Sequence, residues 1–392
     1  MHKNILSMQN KDSFIDGKLL DASCETVEVE LEDVVGDGNA DTITEPFNPN
    51  SIDVDIATVN LGMLIDQLVN EEIELNPEFQ RASDIWGPTK KSRLIESILL
   101  GLPLPSFYFS EDRYSQKLSV IDGLQRLCAI KDFVIYKKLK LQDLQFLHSF
   151  EGKGYDDLER PEIRRINSLK ITVNTLRKST PNEVKFVIFQ RVNTAGEPLT
   201  PQEMRHALNQ GPAAVMVKNM AEMESFKRAT NYSVPSKRMQ DRDFANRFVA
   251  FYLGYKEYSG ELDNFMNYQM GQLNLVSQEE RDAIGEAFDK AMKCCYLIFG
   301  EDTFRKRLDV NDRRKPISKA VFDALSVNIA WLTDGERAAL VDSASQVRDS
   351  FMRLCHDDKF MMAVSTGTGK KYCVNIRFSM MKVMLDEILN KL

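Results

Sequence analysis

At Gly211 the hydrophobic patterning of this 392-residue chain changes character, and that change constrains its fold more than any other feature. Before it, short apolar runs alternate with helical stripes. After it, strand signals nearly vanish and long amphipathic segments occupy 212–228, 240–258, 278–299, 317–332 and 335–356. Different patterning on either side of one glycine predicts two domains of different class, a mixed one over 51–210 and an all-helical one over 211–392. The chain is long enough for both, since a domain takes roughly 100–200 residues. No internal repeat is visible.

The mixed half is well punctuated. Order is expected from about Ile52, and Leu61, Leu64, Ile65 and Leu68 form a helical stripe that ends at Asn70. A second helix opens at Pro88, carries Leu94, Ile95, Ile98 and Leu99 on one face, and is stopped by Gly101 and Pro103. Strands follow at 106–109 and 118–121 around a polar turn at 111–116, and the second strand runs into Asp122-Gly123 and a helix reaching about Tyr136. Further on, 170–176 reads as a strand, and 181–192 and 201–208 read as helices opened by Pro181 and Pro201.

Composition narrows the class. With 43% hydrophobic and 28% charged residues the chain is neither disordered nor fibrous. The opening Met1-His2-Lys3-Asn4-Ile5 has no apolar signal core and no eighteen apolar residues run together, so a cytoplasmic protein with no membrane span is expected. Cys24, Cys128, Cys294, Cys295, Cys355 and Cys373 lack CxxC spacing, and His2, His148, His206 and His356 lack ligand spacing, which argues against a zinc site or a disulfide framework. The net charge of −7 is uneven: residues 1–57 hold three Lys/Arg against thirteen Asp/Glu, a net −10, which leaves the remainder at +3. The acidity therefore belongs to an appendage and does not exclude a polyanionic ligand. Residues 1–50 read as a flexible acidic arm, with an edge strand at 26–32, where Val27, Val29 and Leu31 share a face, as the alternative.

The most informative segment is Ser119-Val120-Ile121-Asp122-Gly123-Leu124-Gln125-Arg126-Leu127. An apolar strand ends in a carboxylate, a glycine allows a tight turn, and a helix opens with two polar side chains. Unpaired N–H groups at a helix start favour a phosphate. Arg126 offers a planar cationic fork, and Asp122 a ligand for a divalent cation or a holder for water. An Asp-Gly turn is also ordinary connection chemistry, so this segment alone leaves both readings open.

Further segments add a resemblance. Ile73-Glu74-Leu75-Asn76-Pro77-Glu78-Phe79-Gln80-Arg81, Trp86, the run from Lys91 to Pro105, and Asp122-Gly123-Leu124-Gln125-Arg126-Leu127 resemble the N-terminal domain of GmrSD-type restriction endonucleases, which belongs to the ParB and sulfiredoxin-like superfamily. Phe189-Gln190-Arg191-Val192-Asn193-Thr194-Ala195-Gly196-Glu197-Pro198-Leu199-Thr200 and Glu203-Met204-Arg205 resemble that family's later motif. The resemblance covers about 52–210 and implies an α+β chain, a ParB/sulfiredoxin-like α/β domain followed by an all-α domain. It implies nucleoside triphosphate hydrolysis (ATP, GTP or CTP, with Mg2+) in defence against phage or modified DNA. The family signature usually reads Asp-Gly-Gln-Gln-Arg. Leu124 departs from it, which puts rate and nucleotide preference in question.

Under this resemblance Asp122, Gln125 and Arg126 are the expected catalytic residues, with Asp122 on the metal. Gln80, Arg81, Gly123, Arg126 and Asn193 are the expected nucleotide contacts. For Arg81 the competing reading is a salt bridge to Asp84 or Glu96, for Asn193 a simple turn, and for Trp86 helix packing. Arg93 and Glu96, three apart on a helix, read as an intrahelical pair. The clusters Lys237-Arg238 with Arg242 and Arg247, and Arg305-Lys306-Arg307 with Arg313-Arg314-Lys315, fit DNA phosphates or solvated helix faces, the second reading being the commoner. Thr366-Gly367-Thr368-Gly369-Lys370-Lys371 lacks the first glycine and the final Ser/Thr of a phosphate-binding loop, and reads as a mobile loop near which Lys370, Lys371 or Arg377 meets the ligand. Residues 211–392 hold one histidine, His356, so the paired histidines of an HNH nuclease are not among them. DNA cleavage is expected from a partner or, in a weaker variant, from the ParB-like domain acting as nuclease or nickase. A homo-oligomer is compatible with the sequence. The competing class is a non-catalytic DNA-binding or partner-recognition module with a vestigial pocket.

Overall fold

The computed structural model describes residues 14–15, 18–20, 26–30, 52–75, 86–111, 117–192, 200–209 and 211–391. Two compact units emerge, one of residues 42–210 and one that joins residues 1–41 to 211–392. Three short strands open the chain, β1 (Phe14–Ile15), β2 (Lys18–Leu20) and β3 (Thr26–Val27), paired antiparallel in that order.

The mixed unit runs β4 (Val54–Asn60), α1 (Leu61–Val69), β5 (Ile73–Glu74), α2 (Pro88–Leu100), β6 (Phe107–Glu111), β7 (Leu118–Asp122), α3 (Leu124–Ile130), α4 (Arg160–Ser168), β8 (Lys170–Leu176), α5 (Asn182–Val192) and α6 (Pro201–Leu208). Its sheet has the order β4-β8-β6-β7-β5. The β4/β8 and β6/β7 pairs are antiparallel, while β6/β8 and β5/β7 are parallel. The predicted stripe of α1 is its buried face, all four residues, and it packs with Ile95, Ile98 and Leu99 of α2 and Leu127 and Ile130 of α3 onto Phe107, Phe109, Val120 and Ile171 of the sheet. Each such side chain contributes about 1.5–3 kcal/mol when fully buried. The punctuation of α2 is local: Pro88 stands in its first turn, and Gly101 takes a left-handed φ of +74° that lets its N–H return to Ile98 and Ser97.

Two expectations in this unit change. Arg93 and Glu96 form no hydrogen bond with each other: Arg93 Nε donates to the Asp143 carbonyl at 3.3 Å, and the buried Glu96 carboxylate accepts the N–H groups of Gln145, Phe146 and Leu147 at 3.0, 2.7 and 2.8 Å. Burial works to raise the Glu96 pKa, but those three donors and the nearby Arg93 charge outweigh it and hold the carboxyl below its ordinary value. The helix predicted to reach Tyr136 is α-helical only to Ile130 and then widens to a π-turn over Lys131–Ile135.

The helical unit comprises α7 (Pro212–Glu222), α8 (Glu224–Ala229), α9 (Gln240–Gly254), α10 (Leu262–Leu273), α11 (Gln278–Phe299), α12 (Lys319–Ala330), α13 (Asp334–Asp342), α14 (Ala344–Cys355), α15 (Asp358–Ser365) and α16 (Lys371–Leu389). The segments predicted at 212–228 and 335–356 are each two helices, broken at Met223 and Ser343. Phe226, Phe244, Phe248, Phe288 and Phe322 meet in the core, the Phe244–Phe322 and Phe248–Phe288 rings edge to face at 4.9 Å. At its centre Asp323 of α12 takes both Arg247 of α9, at 2.9 and 2.7 Å, and Arg377 of α16, at 2.9 Å.

The arm reading of residues 1–50 is amended at residues 28–30. Glu30 N–H donates to Ile317 O at 2.8 Å, Ile317 N–H donates to Glu28 O at 2.9 Å, and Val29 packs on the helical core. The loop at 366–371 is likewise held. Tyr258 Oη donates to Gly369 O, Arg377 to Thr368 O, and Cys373 Sγ to Thr366 O at 3.6 Å.

Candidate functional site

The geometry around Asp122 follows from Gly123. Its φ of +101° lies where L side chains are strained, and a Cβ there would come within 2.5 Å of Phe107 Cδ1. Only glycine lets the chain leave β7 and turn at once into α3. The β6/β7 ladder shifts register beside Tyr108, the residue opposite Asp122, so the regular sheet ends here as well.

Arg126, one turn into α3, folds back beneath this turn. Its NH2 donates to Asp122 Oδ2 at 2.7 Å and to Ser106 O at 3.2 Å, its NH1 donates to Pro105 O, and its guanidinium lies 4.5 Å from the centroid of the Phe107 ring. Burial pushes its pKa down from the ordinary value, and Asp122 opposes that shift. Among the described residues the fork donates to Asp122, Ser106 and Pro105, so in this arrangement Arg126 orients Asp122. Among the described residues the second Asp122 oxygen, Oδ1, carries no hydrogen bond, and the Asp122 side chain keeps 25% of its exposure.

Gln125 completes the corner. Its Oε1 is buried and has no hydrogen-bond partner among the described residues, the kind of orphaned polar atom that a ligand or water satisfies. No side chain caps the N-terminus of α3. Leu124 is half-buried and packs against the apolar core, so the third signature position faces packing here. Sequence reasoning did not find the cradle of Arg126, because it consists of the Pro105 and Ser106 carbonyls and a phenyl ring. The one visible hint is the proline-stiffened run Leu102-Pro103-Leu104-Pro105 just before β6.

The remaining predicted residues divide. Gln80, Arg81 and Asn193 lie outside the described residues. Trp86 packs against the core. Lys237 is exposed, and Arg238 is half-buried with a left-handed φ of +56°. Arg313 is exposed, while Arg314 meets Glu301 at 3.2 Å and Lys315 meets Asp312 at 3.7 Å. Arg247 and Arg377 belong to the buried core. Among the described residues no cluster of three or more His, Cys, Asp or Glu side chains could hold a metal ion. Asp122 would offer Mg2+ one carboxylate oxygen, and an ion arriving with phosphates would take its other ligands from water and phosphate oxygen.

A five-stranded mixed sheet with an Asp-Gly turn into a helix, its arginine locked under the turn, defines an α+β domain whose polar corner lies at the end of the strand β7. Comparison with family models gives one finding: residues 65–209 match the GmrSD restriction endonuclease, N-terminal domain, and this part of the chain is similar to that domain. No curated protein and no solved structure gave a match. Among the described residues no helix is long and apolar enough to cross a membrane.

Proposed function

We propose that the β7–α3 corner binds a nucleoside triphosphate (ATP, GTP or CTP) together with Mg2+ and hydrolyses it, as the switch of a cytoplasmic phage-defence restriction system acting on DNA. The observation that carries this reading is the orphaned Gln125 Oε1 beside a carboxylate oriented by a three-acceptor fork. A buried acceptor without a partner costs about 1–3 kcal/mol, so the site is built for something that supplies the missing donor. Bound Mg2+ would neutralise phosphate charge. Asp122 Oδ1 would hold that ion or a water molecule. Gln125 orients the attacking water, and the uncapped start of α3 faces phosphate charge. Gln80, Arg81 and Asn193 supply the further contacts that the family resemblance implies. Arg126 reaches a phosphate only by giving up Pro105 and Ser106, so its part is to hold Asp122 in place. DNA is cut by a partner nuclease.

The commitment of Arg126 to protein acceptors favours a second reading, a DNA-binding or partner-recognition module that turns over no nucleotide. Phosphate release from ATP, GTP and CTP, measured with Mg2+ for the wild type, Asp122→Ala and Gln125→Ala, separates the two. Turnover in the wild type with loss of about 100-fold or more in Asp122→Ala is expected. Equal rates in the wild type and both variants would refute the proposal. Absence of turnover, with DNA binding that weakens steeply as salt rises, would establish the second reading.

A further inference from the structure

The acidic arm and the basic loop of the helical unit meet at one point. Residues 28–30 join Ile317 through a single parallel bridge with two backbone hydrogen bonds, and Arg305 flanks Ile317 on its other side. Glu30 pairs with Lys306 Nζ, whose side chain is 11% exposed and whose other acceptor is Ser365 Oγ at 3.1 Å. Glu28 lies near enough to Arg305 to act on its charge. These cations belong to a stretch that carries Arg305, Lys306, Arg307, Arg313, Arg314 and Lys315 within eleven residues. Arg313 is exposed, and the partners of Arg314 and Lys315 are carboxylates of the same loop region. Thus the acidic arm, with three Lys/Arg against eleven Asp/Glu over residues 1–50, places two carboxylates beside this cation-rich stretch.

We propose that residues 28–30 form a displaceable acidic latch over a phosphate-binding loop, and that the backbone of duplex DNA exchanges with the arm for Lys306 and the neighbouring cations. Among the described residues a one-residue bridge, a half-buried valine, the Glu30–Lys306 pair and the Glu28 charge beside Arg305 make a contact that a competing polyanion can open. The arm, tethered to the chain, has a high local concentration and holds the loop closed when DNA is dilute. Successive phosphates on one duplex satisfy several spaced cations at once and release condensed counterions, an advantage that a single glutamate lacks. Lys306, now covered, becomes available only when Glu30 leaves.

The test uses the full chain without nucleotide, so its outcome is independent of the hydrolysis reading. Binding of a duplex of about 30 base pairs is followed by fluorescence anisotropy across salt, for the wild type, the double variant E28Q/E30Q and the triple variant R313A/R314A/K315A. Hydrogen exchange is followed at the Glu30 and Ile317 amides. The double variant should bind about fivefold tighter or more, the triple variant should bind more weakly with a shallower salt slope, and DNA should speed exchange at both amides of the wild type. No DNA binding at low salt, equal affinity of the wild type and the double variant, or unchanged exchange at Glu30 and Ile317 on saturation with DNA would each overturn the latch. Should the double variant misfold, seen as faster exchange in α11 and α12, the amide response of the wild type and the triple variant decide the matter.

Discussion

Gly123 shows how much one residue can settle. A side chain there meets two independent obstacles, a backbone in the left-handed region and the Phe107 ring at 2.5 Å. Neither relaxes without moving the other wall of the corner, because Phe107 is fully buried and also supports the Arg126 guanidinium. Gly123→Ala should therefore cost about 2–4 kcal/mol, summing αL strain and overpacking, read as a shift in the urea midpoint followed by Trp86 fluorescence in a Trp331→Phe background. A change under about 0.5 kcal/mol would mean that the turn is more yielding than its geometry implies. The need for glycine was legible from the Asp-Gly step between strand and helix. The destination of Arg126 was not, because backbone carbonyls twenty residues upstream leave no mark in the sequence. Nor was the orphaned state of Gln125 Oε1, which depends on what surrounds the amide.

Among the elements, α2 shows where local rules succeed and where they stop. Its start, its end and its apolar face were readable from Pro88, Gly101 and the spacing of Leu94, Ile95, Ile98 and Leu99. The pairing of Arg93 with Glu96 was the natural inference at three-residue spacing, yet Glu96 serves the loop some fifty residues away. There three consecutive N–H groups offer a carboxylate more than one solvated arginine does. Since the folded-state pKa of Glu96 lies below its unfolded value of 4.5, its contribution to stability is present above that value and is lost as pH falls through the folded pKa. Glu96→Gln should lower stability by about 1–3 kcal/mol at neutral pH, and its deficit against the wild type should shrink as pH drops below about 4.5. Denaturation curves from pH 7 to pH 3 would reveal the convergence, and a constant gap would refute it. The breaks at Met223 and Ser343 escaped notice for a related reason. The apolar period runs on across each of them, whereas the backbone at Met223 is extended, with ψ of 134°.

At the scale of the whole molecule, the buried ion cluster bears most directly on the helical unit. Arg247, Asp323 and Arg377 are at most 2% exposed, and Asp323 of α12 pairs with guanidinium groups from two other helices, α9 and α16. Asp323→Asn removes the buried charge that both guanidinium groups share and should cost about 3–5 kcal/mol. Urea denaturation followed by Trp331, which packs beside Phe378 and Tyr255, reports on that unit in a Trp86→Phe background. A loss under about 1 kcal/mol would show that water or another group reaches the cluster. Arg247 and Arg377 had been assigned by sequence to a basic surface and to a ligand loop. In the linear chain nothing distinguishes an arginine bound for solvent from one bound for the core. The sequence by itself determined what short-range physics controls: the change of class near Gly211, the helical stripes, the capping prolines and glycines, and the strand–turn–helix at Asp122 with its family resemblance. Only the tertiary structure decided which charges pair across long separations, which arginines are buried, and that residues 28–30 lie against Ile317. Those outcomes depend on desolvation and on partners brought together by packing, and neither is encoded in the spacing of neighbours along the chain.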